Sequence, residues 1–333
     1  MRSIGDLASF MLSSRFQTAL GDGANTAAQE ATTGLAKNKA RHLGGATMAV
    51  SLLDRKAVLV EQHQRGIAEA AIFGGTTQSV LARIQEQSEQ LVGSLSLVSQ
   101  LETRSEAKML SDSGAEVFVD TVNALNAQVA GRYLFSGSAT NSQPLPPGSE
   151  LLAMLRLDAS GAASAQDVAL VVDAWFDDPG GPFETAYGGS ETGFMSLPLS
   201  TGQSATFGLR ADDDAIRDAL KGLAKSALAA DPGSGLSVTE QKLLLEDART
   251  ELNMANGRLI EERSSLGLTE AAIEKARQSS EAELSRLASD RLALVGIDQF
   301  EAASEFEAAQ QQLDVFYRVA ARQGRTSLAE YLR

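Results

Sequence analysis

The chain has 333 residues and a formal net charge of −14, and its length predicts two or three domains. Aromatic residues make up only 5% of it, a composition that suits long helices packed through small side chains. The negative charge argues against nucleic acid and anionic membranes as partners. Cysteine is absent, which excludes disulfides, and no apolar run approaches the roughly 18 residues of a membrane-spanning helix.

The N-terminal part predicts one helix over residues 1–33, followed by a basic, glycine-containing break over residues 34–47. The apolar stripe of this helix is thin. Its members Leu12, Phe16 and Ala19 are spaced by four and three residues. Since two glycines interrupt the helix as well, we expect it to be weak in isolation.

From about residue 48 to residue 129 the sequence is predicted to be helical again. Apolar and small residues alternate steps of four and three, which indicates the seam of a coiled coil. The glycines at 74, 75 and 114 predict kinks or helix junctions. The seam consists of Thr77, Leu81, Ile84, Ser88, Leu91, Leu95 and Val98.

Residues 138–238 differ in character, because prolines at 144, 146 and 147 end the helical pattern. The run AQDVALVVDAWF fits either a short helix or a strand. The runs ETGFMSLPLS and QSATFGLR predict strands, whereas DDDAIRDALKGLAKSALA predicts a helix whose acidic first turn complements the helix dipole. We therefore expect a small mixed α/β or β-rich domain inserted between long helices.

The C-terminal part carries a seven-residue repeat from Leu245 to Leu294, which predicts helix-to-helix packing. The phase of the repeat changes near Gly296, so two different partner helices are expected, both from the N-terminal half. After the change, a new stripe is formed by Ala302, Phe306, Ala309, Leu313, Phe316 and Ala320.

No pattern in the sequence predicts an enzyme, a cofactor or a metal site. The two histidines, His42 and His63, lack a second ligand at helical spacing. The run GDGAN at Gly21 lacks the preceding strand and third glycine of a dinucleotide loop. Consecutive carboxylates at 212–214 are poorly placed to converge on Ca²⁺ and fit the start of a helix better. No serine lies in a nucleophile elbow.

The apolar stripes of the terminal helices are candidates for subunit interfaces, because compact domains rarely hide their core at both chain ends. Packing within one monomer is an equally open alternative for Phe16 and Phe306. The candidate interface residues are Leu12, Phe16, Phe306, Leu313, Phe316, Leu328 and Leu332.

Two runs carry a resemblance to a known family. GRYLFSGSATNSQPL follows the first long helical part, and the chain closes on a glutamine-rich stripe and SLAEYLR. Together they resemble the flagellin superfamily, and within it the hook-associated proteins of the hook–filament junction, where a similar run ends the first long helix. The matching residues are Gly131, Tyr133, Leu134, Phe135, Ser136 and Gly137.

The resemblance implies a mainly α architecture of long antiparallel helices. Residues 1–47 and 286–333 would form an inner coiled coil. Residues 48–137 and 239–285 would form a helix bundle around it, and residues 138–238 an outward-facing domain. In this arrangement the matching run is expected to be a hinge with a hydrophobic plug at the end of the first long helix.

The resemblance also implies a structural component of the bacterial flagellum, an adaptor on which flagellin polymerises. Its partners would be flagellin, a hook-associated protein on the hook side, copies of itself in a ring, and an export chaperone at the C-terminal helix. Export through the flagellar type III route without a cleaved signal peptide would place it outside the cell. The alternatives are a filament flagellin and, from another class, a cytoplasmic coiled-coil adaptor.

Overall fold

The computed structural model describes the backbone of residues 3–331, with side chains for residue 8 and residues 10–322. The fold is mainly α-helical, as predicted, with two small antiparallel hairpins. Its helices are α1 (Ser3–Thr33), α2 (Lys39–His42), α3 (Met48–Leu95), α4 (Arg104–Leu125), α5 (Gly148–Ala159), α6 (Ala165–Asp177), α7 (Pro182–Ala186), α8 (Asp214–Leu228), α9 (Val238–Val295) and α10 (Gln299–Tyr331). Its strands are β1 (Gln128–Val129), β2 (Arg132–Tyr133), β3 (Met195–Ser200) and β4 (Gln203–Phe207).

The chain forms two units. One comprises residues up to 61 and from 281 onward, and the other comprises residues 62–280. Residues 138–238 belong to the second unit, in which α5 packs on α4 and α8 packs on α4 and α6. The finer division into inner coiled coil, bundle and outward-facing domain stays a prediction.

In the first unit, α1 and α10 pack against each other along their lengths. Near one end the rings of Phe16 and Phe316 lie 6.0 Å apart. Near the other, the Ile297 N–H donates a hydrogen bond to the Gly34 carbonyl at 3.0 Å. Residues further along α10 thus contact residues earlier in α1, so the two helices are antiparallel. The expected change of phase near Gly296 is a break between α9 and α10.

The helical stretch expected over residues 48–129 is two helices, and it divides at residues 96–103 rather than at the predicted glycines. Helix α3 continues through Gly74 and Gly75. Helix α4 begins at a capping box, in which the Thr103 hydroxyl accepts a hydrogen bond from the Glu106 N–H and the Glu106 carboxylate accepts one from the Thr103 N–H. This reciprocal pair satisfies two N–H groups at the new helix start. The predicted seam residues Leu81, Ile84, Leu91 and Leu95 are buried.

Helix α8 is the most deeply buried element of the second unit, with twelve of its residues buried. Its neighbours approach closely because two glycines lie at the contacts. A Cβ on Gly222 would lie 2.7 Å from Leu252 Cγ of α9, and a Cβ on Gly114 of α4 would overlap the Ser226 side chain. Gly114 thus lies inside a continuous helix, where it makes room for α8 and forms neither kink nor junction.

The segment between α4 and α8 resolves the ambiguity of AQDVALVVDAWF, which forms helix α6. A capping box between Ser164 and Asp167 begins this helix. Its buried face follows helical spacing at Val168, Val172 and Trp175. The two predicted strands are β3 and β4, which pair antiparallel with Met195 opposite Phe207.

The close approach at Gly114 predicts opposite effects for the same substitution at two helical glycines. Gly114→Ala should lower the free energy of unfolding, since overpacking costs about 1–3 kcal/mol and exceeds the helix-propensity benefit of alanine, about 1 kcal/mol at most. Gly257→Ala in α9 has open space around the new methyl group and should be neutral or stabilising. Urea unfolding of both variants measures the difference. Equal effects at the two positions would contradict the close-packing account of Gly114.

Candidate assembly surfaces

Helix α1 leaves large apolar side chains uncovered near its start. The predicted stripe Leu12, Phe16 and Ala19 is exposed, whereas Ala24 and Ala27 form the buried positions of the helix. Within the chain, the partner helix therefore does not cover this stripe. The exposed fractions are 73% for Phe10, 56% for Met11, 71% for Leu12 and 59% for Phe16.

Helix α10 is covered on one side only, and that side is the predicted stripe. Ala302 is buried, and Phe306, Leu313 and Phe316 are half-buried. The other side carries apolar side chains that are more than half exposed, namely Val315, Tyr317 and Val319. Helix α1 therefore covers one face of α10, and both helices keep exposed apolar surface that a further contact could bury.

The candidate interface residues divide accordingly. Leu12 and Phe16 are exposed in the chain, although Phe16 also contacts Phe316. Phe306, Leu313 and Phe316 are partly covered. Leu328 lies in α10 but its side chain, like the whole of Leu332, falls outside the described residues. The assignment of these residues to a subunit interface stays a prediction.

The run from Gly131 to Gly137 does not end the first long helix, which is a correction to the expected placement. Helix α4 ends at Leu125, and strands β1 and β2 form a tight hairpin before and within the run. The two turn residues, Ala130 and Gly131, have φ of 51° and 77°. Positive φ at both central residues fits the turn type that matches the twist of a hairpin, so the chain reverses here after leaving the helix.

The apolar middle of this run is buried, and its assignment as a hydrophobic plug stays a prediction. Leu134 is 4% exposed, and Phe135 and Ser136 are fully buried, whereas Tyr133 is half-buried. The backbone around the plug is held from three directions. The Leu134 N–H donates to Ala127, the Ala211 N–H donates to the Phe135 carbonyl, and the Ser190 N–H donates to the Ser136 carbonyl. Because these bonds join distant parts of the second unit, the run is firmly fixed at its centre.

The end of the run is closed by an arginine and two aspartates. A Cβ on Gly137, whose φ is 61°, would lie 2.7 Å from the Ser190 carbonyl oxygen, so only glycine fits. The Arg210 guanidinium pairs with Asp212 and Asp213 at 3.2 and 3.1 Å. The neighbouring Tyr187 hydroxyl donates to the Phe135 carbonyl, and burial together with the charge of Asp212 raises the pKa of this tyrosine.

A buried ionic network joins α6, α8 and α9, and the sequence analysis missed it. Lys225 is 2% exposed and contacts Glu251 at 2.8 Å and Asp173 and Asp247 at 2.9 Å. Lys221, one turn earlier, contacts Asp177 and Asp218 at 2.8 Å. The available signal was two lysines four residues apart in the otherwise uncharged run ALKGLAKSAL.

The network keeps both lysines charged. Burial alone would lower the pKa of Lys221, but hydrogen bonds to Asp177 and Asp218 outweigh it and raise the pKa to about 12. The pKa of Lys225 is raised in the same way by Glu251, Asp173 and Asp247, against the effect of burial. Since a buried ion needs complete pairing, α8 is confined to the position at which its carboxylate partners surround it.

The side chains of residues 10–322 contain no cluster of three or more metal-ligating groups. Asp212 and Asp213 bind Arg210 and immediately precede α8, which begins at Asp214, in agreement with the expected helix start. Of the helices that the structure describes, none is both long and apolar enough to cross a membrane.

Comparison with known proteins finds relatives by structure alone. No protein-family model and no curated protein matches the sequence. A crystal structure of Bacillus cereus FlgL aligns with 75% of this chain and 100% of its own, at a TM-score of 0.50 and 14% identity. A Vibrio parahaemolyticus structure assigned as a flagellar hook-associated protein aligns with 72% of this chain and 96% of its own, at a TM-score of 0.42 and 13% identity. The chain thus shares the fold of FlgL.

Burial of the plug predicts a large loss of stability on truncation. Phe135→Ala should lower the free energy of unfolding by about 3–5 kcal/mol, the usual cost of emptying a buried aromatic site. Phe194→Ala in the same unit, where the ring is 60% exposed, should change it by about 0.5 kcal/mol or less. Urea unfolding followed by circular dichroism measures both. Similar losses in the two variants would contradict the plug assignment.

The raised pKa of Lys221 predicts a stability loss at alkaline pH. The folded-state pKa of about 12 exceeds the ordinary value of 10.5, so the contribution is complete below about pH 10.5 and disappears as the pH rises to about 12. Lys221→Met should therefore reduce the difference in unfolding free energy between pH 10 and pH 12. Lys275→Met, at an exposed position of α9, should retain the wild-type profile. Unchanged pH dependence in Lys221→Met would overturn the assignment.

Proposed function

We propose that this protein is a structural subunit of the bacterial flagellum, of the hook-associated protein 3 class, and an adaptor at the hook–filament junction on which flagellin polymerises. The observation that carries the proposal is the antiparallel pair of α1 and α10, built from both ends of the chain, with large apolar side chains left exposed. The shared fold with FlgL and the resemblance of the run at 131–137 support it.

The exposed apolar side chains suit a subunit whose folding is completed by neighbours. Burying a large side chain such as Leu12 or Phe16 contributes roughly 1.5–3 kcal/mol, and a monomer leaves both largely in water. A head-to-tail contact that does not close on itself propagates into a tube. The α1–α10 pairs of neighbouring copies would bury these side chains inside such a tube.

The junction role specifies the partners. One end of a ring of copies would contact a hook-associated protein on the hook side, and the other would present a filament-like surface to flagellin. Before assembly, the apolar face of α10 would be covered by an export chaperone. The protein would function outside the cell, after export by the flagellar type III route.

The test is electron microscopy of cells that lack this protein, together with an assay for flagellin in the medium. Hooks without filaments and monomeric flagellin in the medium are expected, because filament subunits would have no surface on which to polymerise. Normal filaments would overturn the junction role and favour a redundant flagellin or a cytoplasmic adaptor.

Complementation of these cells tests the assembly surface itself. Leu12→Asp places a charge at a position that is 71% exposed, so the chain should fold and be exported while filaments remain absent. The matched variant Leu268→Asp, at a position 75% exposed in the second unit, should restore filaments. Full filaments with Leu12→Asp would exclude this face from the assembly.

A further inference from the structure

The first unit contains an open cleft of about 940 Å³ between α1, α2 and the start of α10. Small, almost fully buried residues lie inside it, namely Ala27, Ala36 and Ala302. Such residues leave room for another backbone to approach closely. The shape of the cleft therefore accommodates a chain segment.

Carboxylates dominate the lining of the cleft. The acidic residues are Asp22, Glu30, Asp298, Glu301 and Glu305, against a single arginine, Arg41. Two of them have partners in the chain: Glu30 accepts a hydrogen bond from the Lys37 N–H, and Asp298 accepts one from the Phe300 N–H. Asp22, Glu301 and Glu305 form no ion pair with any described residue. A cationic occupant would satisfy these three carboxylates.

The helix dipole explains only part of this acidity. Glu301 lies in the first turn of α10, where a carboxylate is stabilised by the dipole. Glu305 lies beyond the first turn, and the chain has no lysine or arginine between residues 298 and 317. The acidic face of α10 thus extends further than stabilisation of its own N-terminus requires.

The connector between α1 and α3, residues 34–47, has the complementary charge. No acidic residue occurs between Glu30 and Asp54 in a chain whose net charge is −14. The connector's cations Lys37, Lys39 and Arg41 form no ion pair with a described carboxylate. Ion pairs among the described residues of the first unit include Lys56–Glu283, Arg286–Glu283, Arg286–Asp290, Arg291–Asp54 and Arg318–Asp314.

The backbone holds the connector beside α10 without pairing these charges. The Ala36 N–H donates to Val295 at 2.9 Å and the Ile297 N–H donates to Gly34 at 3.0 Å. Arg41 lines the same cleft as Glu301 and Glu305, yet no ion pair joins them. One chain therefore presents a basic segment and an acidic cleft whose charged side chains form no ion pairs with each other.

We propose that the basic connector of one copy docks in the acidic cleft of the next copy, with Lys37, Lys39 and Arg41 facing Asp22, Glu301 and Glu305. The occupant is a second copy of this chain, because the same molecule carries both complementary surfaces, as a head-to-tail contact requires. The inference rests on the proposed function, in which copies form a ring. Charge pairs of this kind set the register of an interface more than its strength.

Cross-linking between separately labelled copies tests the contact. The chain has no cysteine, so single cysteines can be placed at Ala40→Cys in one full-length copy and at Ala308→Cys in another. Residue 308 follows Glu301 and Glu305 by seven and three positions, on the same face of α10. A short bismaleimide should join the two copies at several times the yield of a control pair of Ala40→Cys with Ala271→Cys, an exposed α9 position. Equal yields for both pairs would overturn the contact.

Added salt and charge reversal test whether ion pairing holds the connector in the cleft. The yield should fall several-fold between 0.1 M and 1 M NaCl, where the screening length drops from about 10 Å to about 3 Å. Lys37→Glu/Lys39→Glu/Arg41→Glu in the Ala40→Cys copy should also abolish it. The matched control, Arg55→Glu/Arg104→Glu/Lys275→Glu, makes the same change in net charge at exposed positions and should leave the yield unchanged. An unaltered yield after connector reversal would contradict the charge pairing.

A mixing experiment separates contacts between copies from contacts within one. Copies with the reversed connector should again cross-link when the Ala308→Cys partner carries Glu301→Lys/Glu305→Lys. If the cross-linking yield recovered only when both reversals were in one chain, the charges would pair within the chain and the proposal would be wrong. The two proposals can fail separately. If cross-linking fails but deletion cells still show hooks without filaments, this contact is rejected and the proposed junction function is not.

Discussion

The second unit depends on the close approach of α8 to α4 and α9. A chain with few aromatic residues fills its core by bringing helix backbones together, and Gly114 and Gly222 provide the space. Once α8 is enclosed, Lys221 and Lys225 cannot reach water freely and require carboxylates from α6, α8 and α9. Steric fit sets the distance between the helices, and ion pairing sets their register.

The first unit has no such enclosed element. Two helices in a pair cover one face of each other, so apolar residues elsewhere on either helix stay in water until another surface arrives. Leu12 and Phe16 on α1 and Val315 on α10 are in that position. The same chain thus contains one unit with an extensive buried core and one unit whose two long helices leave large apolar side chains in water.

Sequence patterns correctly predicted those elements whose packing follows from the spacing of their apolar residues. The stripe of α10, the seam of α3 and the strands β3 and β4 lie where spacing and alternation put them. The exposure of Leu12 and Phe16 could not be predicted, because spacing shows that residues share a face but not what covers it. The role of Gly114 depends on a contact distant in sequence, from Ser226, and the buried position of Phe135 and Ser136 depends on hydrogen bonds from Ala211 and Ser190. The lysine network was hidden because its partners come from three helices.

The two surfaces of the first unit differ in what each contributes to an assembly. Apolar burial along α1 and α10 is strong but tolerates sliding, because neighbouring turns of a helix present similar side chains. The charged groups of the connector and the cleft are confined to one end of the helix pair, so their pairing favours one register. In the proposed ring, affinity therefore comes from side chains such as Leu12, and the choice of register comes from Lys39 and Glu305. A subunit between two different neighbours needs both, since affinity alone would let copies slip and stack on the wrong surface.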